Sequence, residues 1–599
     1  MISPDGRHVA VTMSGGDSRV VVVRSVEAIR GATRDDPTVI GSGGNFFNWY
    51  DWANDDRLVF SIRTSATEVG RGGSFMVSLA RLGSVGRDGS KLVMFDAEPN
   101  IHGFYHPNPA IVSWLRDDPN HVLATINGSE REWNSPRVDR VNVYSGQAVL
   151  VQRNRWGVQR WIADDNGDIR AGVKVDSHLR NRKATIYYRE DVEARWEVLQ
   201  EVDYFNSRRM RAYRFAEEDP FVLLVSSSQL EDQLDRELRD DALFAYDLHD
   251  REITGRHQDS HRQNIIDTVK KALPGRRVEI VSHDQAKKRY FFRTYSDVIP
   301  AEYFLLDVDA RRLDYVAAEY PAIADLGFSK MQEIEYTARD GYRIPAMLTM
   351  PVGGKRTGLP VVVYPHGGPR DRDEWGFDNY VQFLANRGYV VLQPQYRGST
   401  GFGIDHEKAG YGQWGKLIQD DITDATKWLI ESGIADPGRI CIVGQDFGGY
   451  AAIMGAAKNP ELYQCAASIN AFLDLLLMLE DSQNYIFDTI MRGTWNTPEE
   501  MRSVSPYHQA DSIEAPVLLI ASERDTIVPP KHSKRMKKRL KRLGKDVTYV
   551  ELADGEHWRS SGSLEVIKLR SLEEFLAQSI GNQRTAKRSP SLDSLSQAE

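Results

Sequence analysis

Short apolar runs separated by polar turns fill residues 1–322. Strand-length runs occur at Val9–Met13, Val20–Val23, Arg57–Ile62, Val122–Ile126, Ala184–Tyr188, Phe221–Ser226, Arg289–Thr294 and Tyr303–Asp307. Between them stand Ser3-Pro-Asp-Gly, Asn54-Asp-Asp, Asp117-Asp-Pro-Asn and Asp164-Asp-Asn-Gly-Asp, residue types that favour turns. Two forms recur: a turn with Asp or Asn leading into a strand, and a strand ending in Asp and a turn, as in Phe244-Ala-Tyr-Asp. This spacing predicts a β-propeller of four-stranded blades, with a pair of large β-sandwiches as the competing arrangement. At roughly 40–50 residues per blade the stretch holds about seven blades. The chain enters a turn at once, so the expectation is either an incomplete first blade or a true start upstream of this Met.

From about Met331 the period changes. Glu333 to Pro351 predicts a hairpin turning at Asp340-Gly341. After it, apolar runs at Val361–Tyr364, Tyr389–Gln393, Ile440–Val443, Cys465–Ile469, Val517–Ala521 and Val547–Glu551 alternate with helical patterns. Those patterns lie near Trp375–Arg387, Asp420–Glu431, Gly448–Lys458, Lys531–Leu543 and Ser563–Ile580. Alternation of this kind builds a parallel sheet covered on both faces. The expected domains are therefore a β-propeller over 1–322, an α/β-hydrolase domain over 323–581 and a disordered tail over 582–599, which lacks aromatics and is rich in Ser, Gln, Lys and Arg.

Composition narrows the function classes. The chain has 599 residues, 41% of them apolar and 27% charged, which suits a globular protein of at least two domains. A net charge of −9 argues against nucleic-acid partners. No run of 18 apolar residues offers a membrane span. The two cysteines, Cys441 and Cys465, sit in separate apolar runs and are expected as reduced core thiols. No metal or cofactor motif stands out. The first residues carry no signal-peptide pattern, so the expected location is cytoplasmic, or periplasmic if an export signal lies upstream of this Met. Lys531 to Arg542 holds eight Lys and Arg and no acid, a helix with a basic face that is expected to be solvated.

The chemistry gathers at strand ends. Gly444-Gln445-Asp446-Phe447-Gly448-Gly449 is the frame of a nucleophile elbow, in which a strand turns sharply into a helix and presents one side chain. Downstream, Leu518-Leu-Ile-Ala-Ser-Glu-Arg-Asp525 and Val550-Glu-Leu-Ala-Asp-Gly-Glu-His557 are two further strands ending in loops that carry an acid and a histidine. Elbow, acid, then histidine is the order of the α/β-hydrolase triad, where one ring nitrogen reaches the elbow and a carboxylate holds the other. Tyr364-Pro-His366-Gly367-Gly368 follows another strand. With the N–H of Phe447 it supplies oxyanion-hole candidates.

Several stretches resemble the prolyl oligopeptidase family, closest to its acylaminoacyl-peptidase and dipeptidyl-peptidase-like branch. They are Tyr364-Pro-His-Gly-Gly-Pro, Gln395-Tyr-Arg-Gly-Ser-Thr-Gly-Phe-Gly, Trp414-Gly-Lys-Leu-Ile-Gln-Asp-Asp and Asp436-Pro-Gly-Arg. The resemblance covers about residues 330–580 and implies a serine-peptidase scaffold acting on short or acylated peptides, with a propeller capping the site. Oligomeric assembly is compatible with it. Asp525 and His557 match the family's acid and base, and His366 and Gly367 lie where relatives place oxyanion-hole groups. Asp446 falls where the family has its nucleophilic Ser.

That departure changes the expected function. Attack of a carboxylate on an amide would form an anhydride and expel an amine, an uphill step. Its charge opposes an oxyanion and favours an imidazolium at His557. The leading expectation is a peptide-binding protein impaired in cleavage, resembling relatives of dipeptidyl peptidases that lost this Ser. Residual peptidase or esterase activity is an alternative. A third is an Asp-nucleophile hydrolase acting on an ester, epoxide or halide, since haloalkane dehalogenases and epoxide hydrolases carry a similar elbow. Ser399 and Ser522, on other strand ends, read as turn residues, and Asp554 and Glu556 as solvated loop carboxylates.

Overall fold

The computed structural model describes residues 1–15, 18–32, 36–43, 45–70, 73–95, 109–126, 135–176, 183–203, 210–217, 219–227, 243–323, 326–354, 356–482, 497–557 and 561–581. The expected tail over 582–599 lies outside them. The chain divides into two compact units. One comprises Met1–Thr294 and Ala301–Pro321, the other Tyr295–Pro300 and the residues from Ala322 onward.

The first unit is a β-propeller. Among the described residues it holds six small antiparallel sheets, five of four strands and a first of three strands joined by a single Ile2–Val9 bridge. The expectation from spacing is about seven blades; six sheets stand among the described residues. The four-stranded sheets keep to the expected length, and further chain lies between them. One hairpin runs as two 14-residue strands, Arg57–Gly70 and Gly73–Gly86, and a 13-residue helix, Ser260–Ala272, sits between the last two sheets. Asp259 caps that helix, and Ile265 and Val269 recur one turn apart on its buried side.

Apolar side chains pack sheet against sheet. Val21, Trp52 and Phe60 join the first to the second, and Leu82 and Val122 the second to the third. The ring closes where the first sheet meets the sixth: Ile2, Val9 and Val26 bury against Phe291 and Leu305. Arg30 also pairs with Asp307 at 2.9 Å and Asp314 at 3.0 Å.

The second unit is an α/β-hydrolase domain around one eight-stranded sheet. In spatial order its strands are Met331–Thr337, Arg343–Thr349, Val390–Pro394, Leu359–Val363, Ala435–Gln445, Cys465–Ile469, Val517–Ser522 and Val547–Leu552. Only Arg343–Thr349 runs against the others. Along the strand Ala435–Gln445, Ile440 and Ile442 enter the core on one face of the sheet while Cys441 and Val443 enter the core on the other. Helices cover both faces, so the run is apolar at every position.

Register also corrects the cysteine reading. Cys441 and Cys465 stand opposite each other on neighbouring parallel strands, Cα atoms 4.7 Å apart, with their sulfurs bonded. Sequence separates them by a helix; only strand pairing makes them neighbours.

The basic helix spans Lys531–Arg542 and buries Met536 and Leu540. Its cations are largely engaged with their own domain: Lys534 with Glu551 at 2.6 Å, Arg535 with Asp474 at 3.3 Å, and Lys537 over the ring of Tyr549.

Candidate active site

The elbow strand ends at Gln445 and the helix Phe447–Lys458 begins two residues later, leaving Asp446 alone at the corner. Asp446 adopts φ 52° and ψ −122°, a region costly for a residue with a Cβ, of order 1–3 kcal/mol. Close packing enforces the corner. A Cβ on Gly448 would lie 2.0 Å from Pro365 O, and one on Gly444 2.2 Å from the Gly448 carbonyl carbon. Both contacts are with backbone, so neither position accepts a side chain, and strand and helix approach closely enough to aim Asp446 outward.

Three strand ends bring Asp446, Asp525 and His557 together. His557 Nδ1 lies 2.6 Å from Asp525 Oδ2, and its Nε2 lies 3.7 Å from Asp446 Oδ1, beyond hydrogen-bond contact but within ion-pair range. Asp525 is itself fixed, because its Oδ1 accepts the N–H groups of Ile527 and Val528 at 2.9 and 2.7 Å. The second oxygen of Asp446, Oδ2, accepts the N–H of Gly368 at 2.9 Å. The elbow carboxylate is thus divided between a histidine on one side and a backbone donor of the glycine-rich turn on the other. It also sits at a helix N-terminus, whose dipole favours an anion.

The glycine-rich turn that carries the oxyanion candidates His366 and Gly367 lies beside Asp446. Gly367 lies against Asp446, but the donor that reaches the carboxylate is Gly368. The His366 ring does not serve the elbow. It stacks on Tyr396 with centroids 4.2 Å apart, its Nε2 is 2.8 Å from Ser399 Oγ, and its Nδ1 is 2.7 Å from Gly367 O. Burial pushes the pKa of His366 down to about 4, so the ring is neutral. Tyr396 O–H donates to His366 O at 2.8 Å, which fixes the turn carrying Gly367 and Gly368. Ser399 is therefore a support for His366 rather than a plain turn residue. Phe447 is buried among Tyr396, Trp414 and Tyr450.

Asn470 was missed. It follows the strand Cys465–Ile469 in a left-handed conformation, φ 49°. Its Nδ2 donates to His557 O at 3.2 Å and to Ser522 Oγ at 3.1 Å, and its Oδ1 accepts Ser522 N–H at 2.8 Å. It ties the histidine loop to the acid's strand. The one signal in the sequence is a polar residue closing a wholly apolar strand.

The electrostatics follow from this arrangement. Burial disfavours the charged form of His557. The facing Asp446 and the hydrogen-bonded Asp525 outweigh it and lift the pKa of the imidazole to about 9. Asp371 is exposed at its surface, yet desolvation and, with a smaller share, the charge of Asp446 raise its carboxyl. At neutral pH the cluster is an imidazolium between carboxylates. Because the folded pKa is raised above the ordinary 6.5, its stabilisation, on the order of 3 kcal/mol, is complete below pH 6.5 and is lost as pH rises through 9. Asp446→Asn removes one of the two anions, and the pKa of His557 should fall by about 1–3 pH units. An NMR titration of the ring nitrogens measures it; an unmoved midpoint would show that Asp446 does not hold the proton.

Residues 375–583 match the family model described as "Prolyl oligopeptidase family". This third of the chain is similar to the prolyl oligopeptidase family. Among relatives of this domain, the dipeptidyl aminopeptidase BIII of Pseudoxanthomonas mexicana is 29% identical over 297 residues, covering 47% of this chain and 43% of that protein. The acylamino-acid-releasing enzyme of Rattus norvegicus is 27% identical over 195 residues, covering 31% of this chain and 27% of that one. The chain thus spans less than half the length of these curated relatives. In fold, it is similar to the acylaminoacyl peptidase of Pyrococcus horikoshii, with a TM-score of 0.62, 17% identity, and coverage of 99% of this chain and 90% of that one. Among the described residues no helix is long and apolar enough to cross a membrane.

Proposed function

We propose that this chain is a peptide-binding member of the prolyl oligopeptidase scaffold in which amide cleavage is blocked at Asp446, the position where the resemblance places the nucleophilic Ser. Asp525 and His557 take the places of acid and base. The N–H groups of the turn at His366, Gly367 and Gly368, with that of Phe447, line the oxyanion side. The reading rests chiefly on the hydrogen bond from Gly368 N–H to Asp446 Oδ2. A serine hydroxyl would leave that donor for the substrate's carbonyl oxygen. The carboxylate takes both the attacking position and the donor, and it keeps His557 charged, so neither base nor oxyanion site is open to an amide. Short or acylated peptides are the proposed ligands, on the strength of the peptidase names of the relatives.

The test is direct. The natural protein should resist labelling by a fluorophosphonate probe and should leave alanyl-alanyl- and acetyl-alanyl-p-nitroanilide intact, while calorimetry detects binding of short peptides. Labelling, or release of nitroaniline, would sink the reading.

A second reading is favoured by the division of the Asp446 oxygens. Oδ2 is held by a backbone N–H while Oδ1 faces the site, as a carboxylate nucleophile requires: one oxygen attacks and the other carries the charge of the later tetrahedral adduct.

A further inference from the structure

We propose that Asn470 is a positioning residue for His557, at a junction that holds the three strand ends of the site in one geometry. The inference goes beyond the peptide-binding reading, because it concerns how the site is held whether or not an amide is cut.

All three strand ends meet the corner Ile469-Asn470. Asp446 N–H donates to Ile469 O at 3.0 Å, so the corner fixes the backbone of the elbow. Asn470 N–H donates to Ile520 O at 3.0 Å, and its Oδ1 accepts Ser522 N–H at 2.8 Å, which holds the strand leading to Asp525. Nδ2 donates to His557 O at 3.2 Å.

That last bond bears on the ring. The histidine loop is fastened to the acid's loop by Glu523 N–H to Leu552 O at 3.0 Å and by Arg524 N–H to Gly555 O at 2.8 Å. Both contacts lie upstream of His557, whereas Asn470 reaches the backbone of His557 itself. A shift of that backbone lengthens the 2.6 Å bond from Nδ1 to Asp525 and alters the 3.7 Å approach of Nε2 to Asp446. Asn470 is 4% exposed, so water does not replace a lost partner there. The residue type suits the task. A φ of 49° lies in the left-handed region, where Gly, Asn and Asp are most at home. Of these, only Asn carries an amide that donates to His557 O while accepting Ser522 N–H.

The experiment compares the full natural chain with Asn470→Gly, Asn470→Asp and Ser522→Ala. Glycine keeps the left-handed backbone and deletes the side chain. Aspartate keeps the shape and the acceptor and replaces the donor. Ser522→Ala removes the other partner of Nδ2, 3.1 Å away, and spares the bond to His557. Proton NMR at neutral pH follows exchange of the His557 Nδ1 proton with water. Exchange should be roughly five- to tenfold faster in both Asn470 variants, as loss of one hydrogen bond closing the loop implies. It should be unchanged in Ser522→Ala. On an Asp446→Ser background, Asn470→Gly should slow fluorophosphonate labelling at saturation by roughly 10²-fold, with the half-saturating probe concentration unchanged. Lower unfolding midpoints with unaltered Nδ1 exchange would reduce Asn470 to a fastener of the strand end and overturn the proposal. An equal effect in Ser522→Ala would overturn it too. Asn470→Asp decides the matter if Asn470→Gly does not fold. Failure of Asp446→Ser itself to label bears on the binding reading alone, and the exchange result still decides the role of Asn470.

Discussion

Asp446→Ser should give a protein that reacts with a fluorophosphonate and cleaves peptide anilides, while the natural chain is expected to do neither. Three changes follow from one substitution. A hydroxyl replaces the carboxylate at a corner whose backbone is set by Gly444 and Gly448 rather than by the side chain. The N–H of Gly368 is released from Asp446 Oδ2 and faces the position of a substrate oxyanion. His557 loses one of the two carboxylates that raise it to about 9, so a larger fraction is neutral and able to take the hydroxyl proton. The orienting bond from His557 to Asp525, 2.6 Å, is untouched. Removal of a triad nucleophile costs on the order of 10⁶ in turnover in a serine protease. Restoring one in a site with its other members placed should give at least roughly 10³-fold in amide hydrolysis over the natural chain. A folded Asp446→Ser protein that neither labels nor turns over would mean that the obstruction extends beyond this residue.

The second large effect is on stability. Arg397 and Asp421 form a buried pair, their side chains 5% and 0% exposed. Arg397 Nε lies 2.9 Å from Asp421 Oδ2, and the Arg397 backbone N–H donates to the same oxygen at 3.0 Å. A further guanidinium nitrogen reaches Asp421 Oδ1, and another reaches Asp340 at 2.5 Å. Hydrogen bonding to Asp421 raises the pKa of Arg397 above its ordinary value, so it stays charged. Arg397→Met leaves Asp421 in the core without its counterion. The expected cost is about 3–5 kcal/mol, or roughly 10 °C in the unfolding midpoint of the hydrolase domain. Arg397→Met with Asp421→Leu should recover most of it, because no charge is then left buried. Calorimetry of the single and double variants measures both. Equal midpoints in the single variant and the natural chain would show that the pair contributes nothing. The pair also bears on the site, since Arg397 follows Tyr396, which holds the turn at His366 and Gly367.

The fold was largely legible because both halves write their periods plainly. Cys465–Ile469 was read to the residue, and Val517–Ser522 and Val547–Leu552 to within one position at the end, since fully buried strands are unbroken apolar runs. Elsewhere the pattern was weaker. The helix Ser260–Ala272 stands amid strand patterns that obscure its longer period.

Within the site, the sequence alone determined the order Asp446, Asp525, His557 and the attachment of each to a strand end. Those are local facts: a strand, a turn and a polar residue a few positions apart. Tertiary structure decided the rest. It brought Gly368, rather than His366, to Asp446. It turned the His366 ring toward Tyr396 and Ser399, set Asn470 between His557 and Ser522, and placed Cys441 against Cys465. Each of these contacts joins residues far apart in the chain through sheet register or the approach of two loops, and a register is a property of paired strands that no single strand carries.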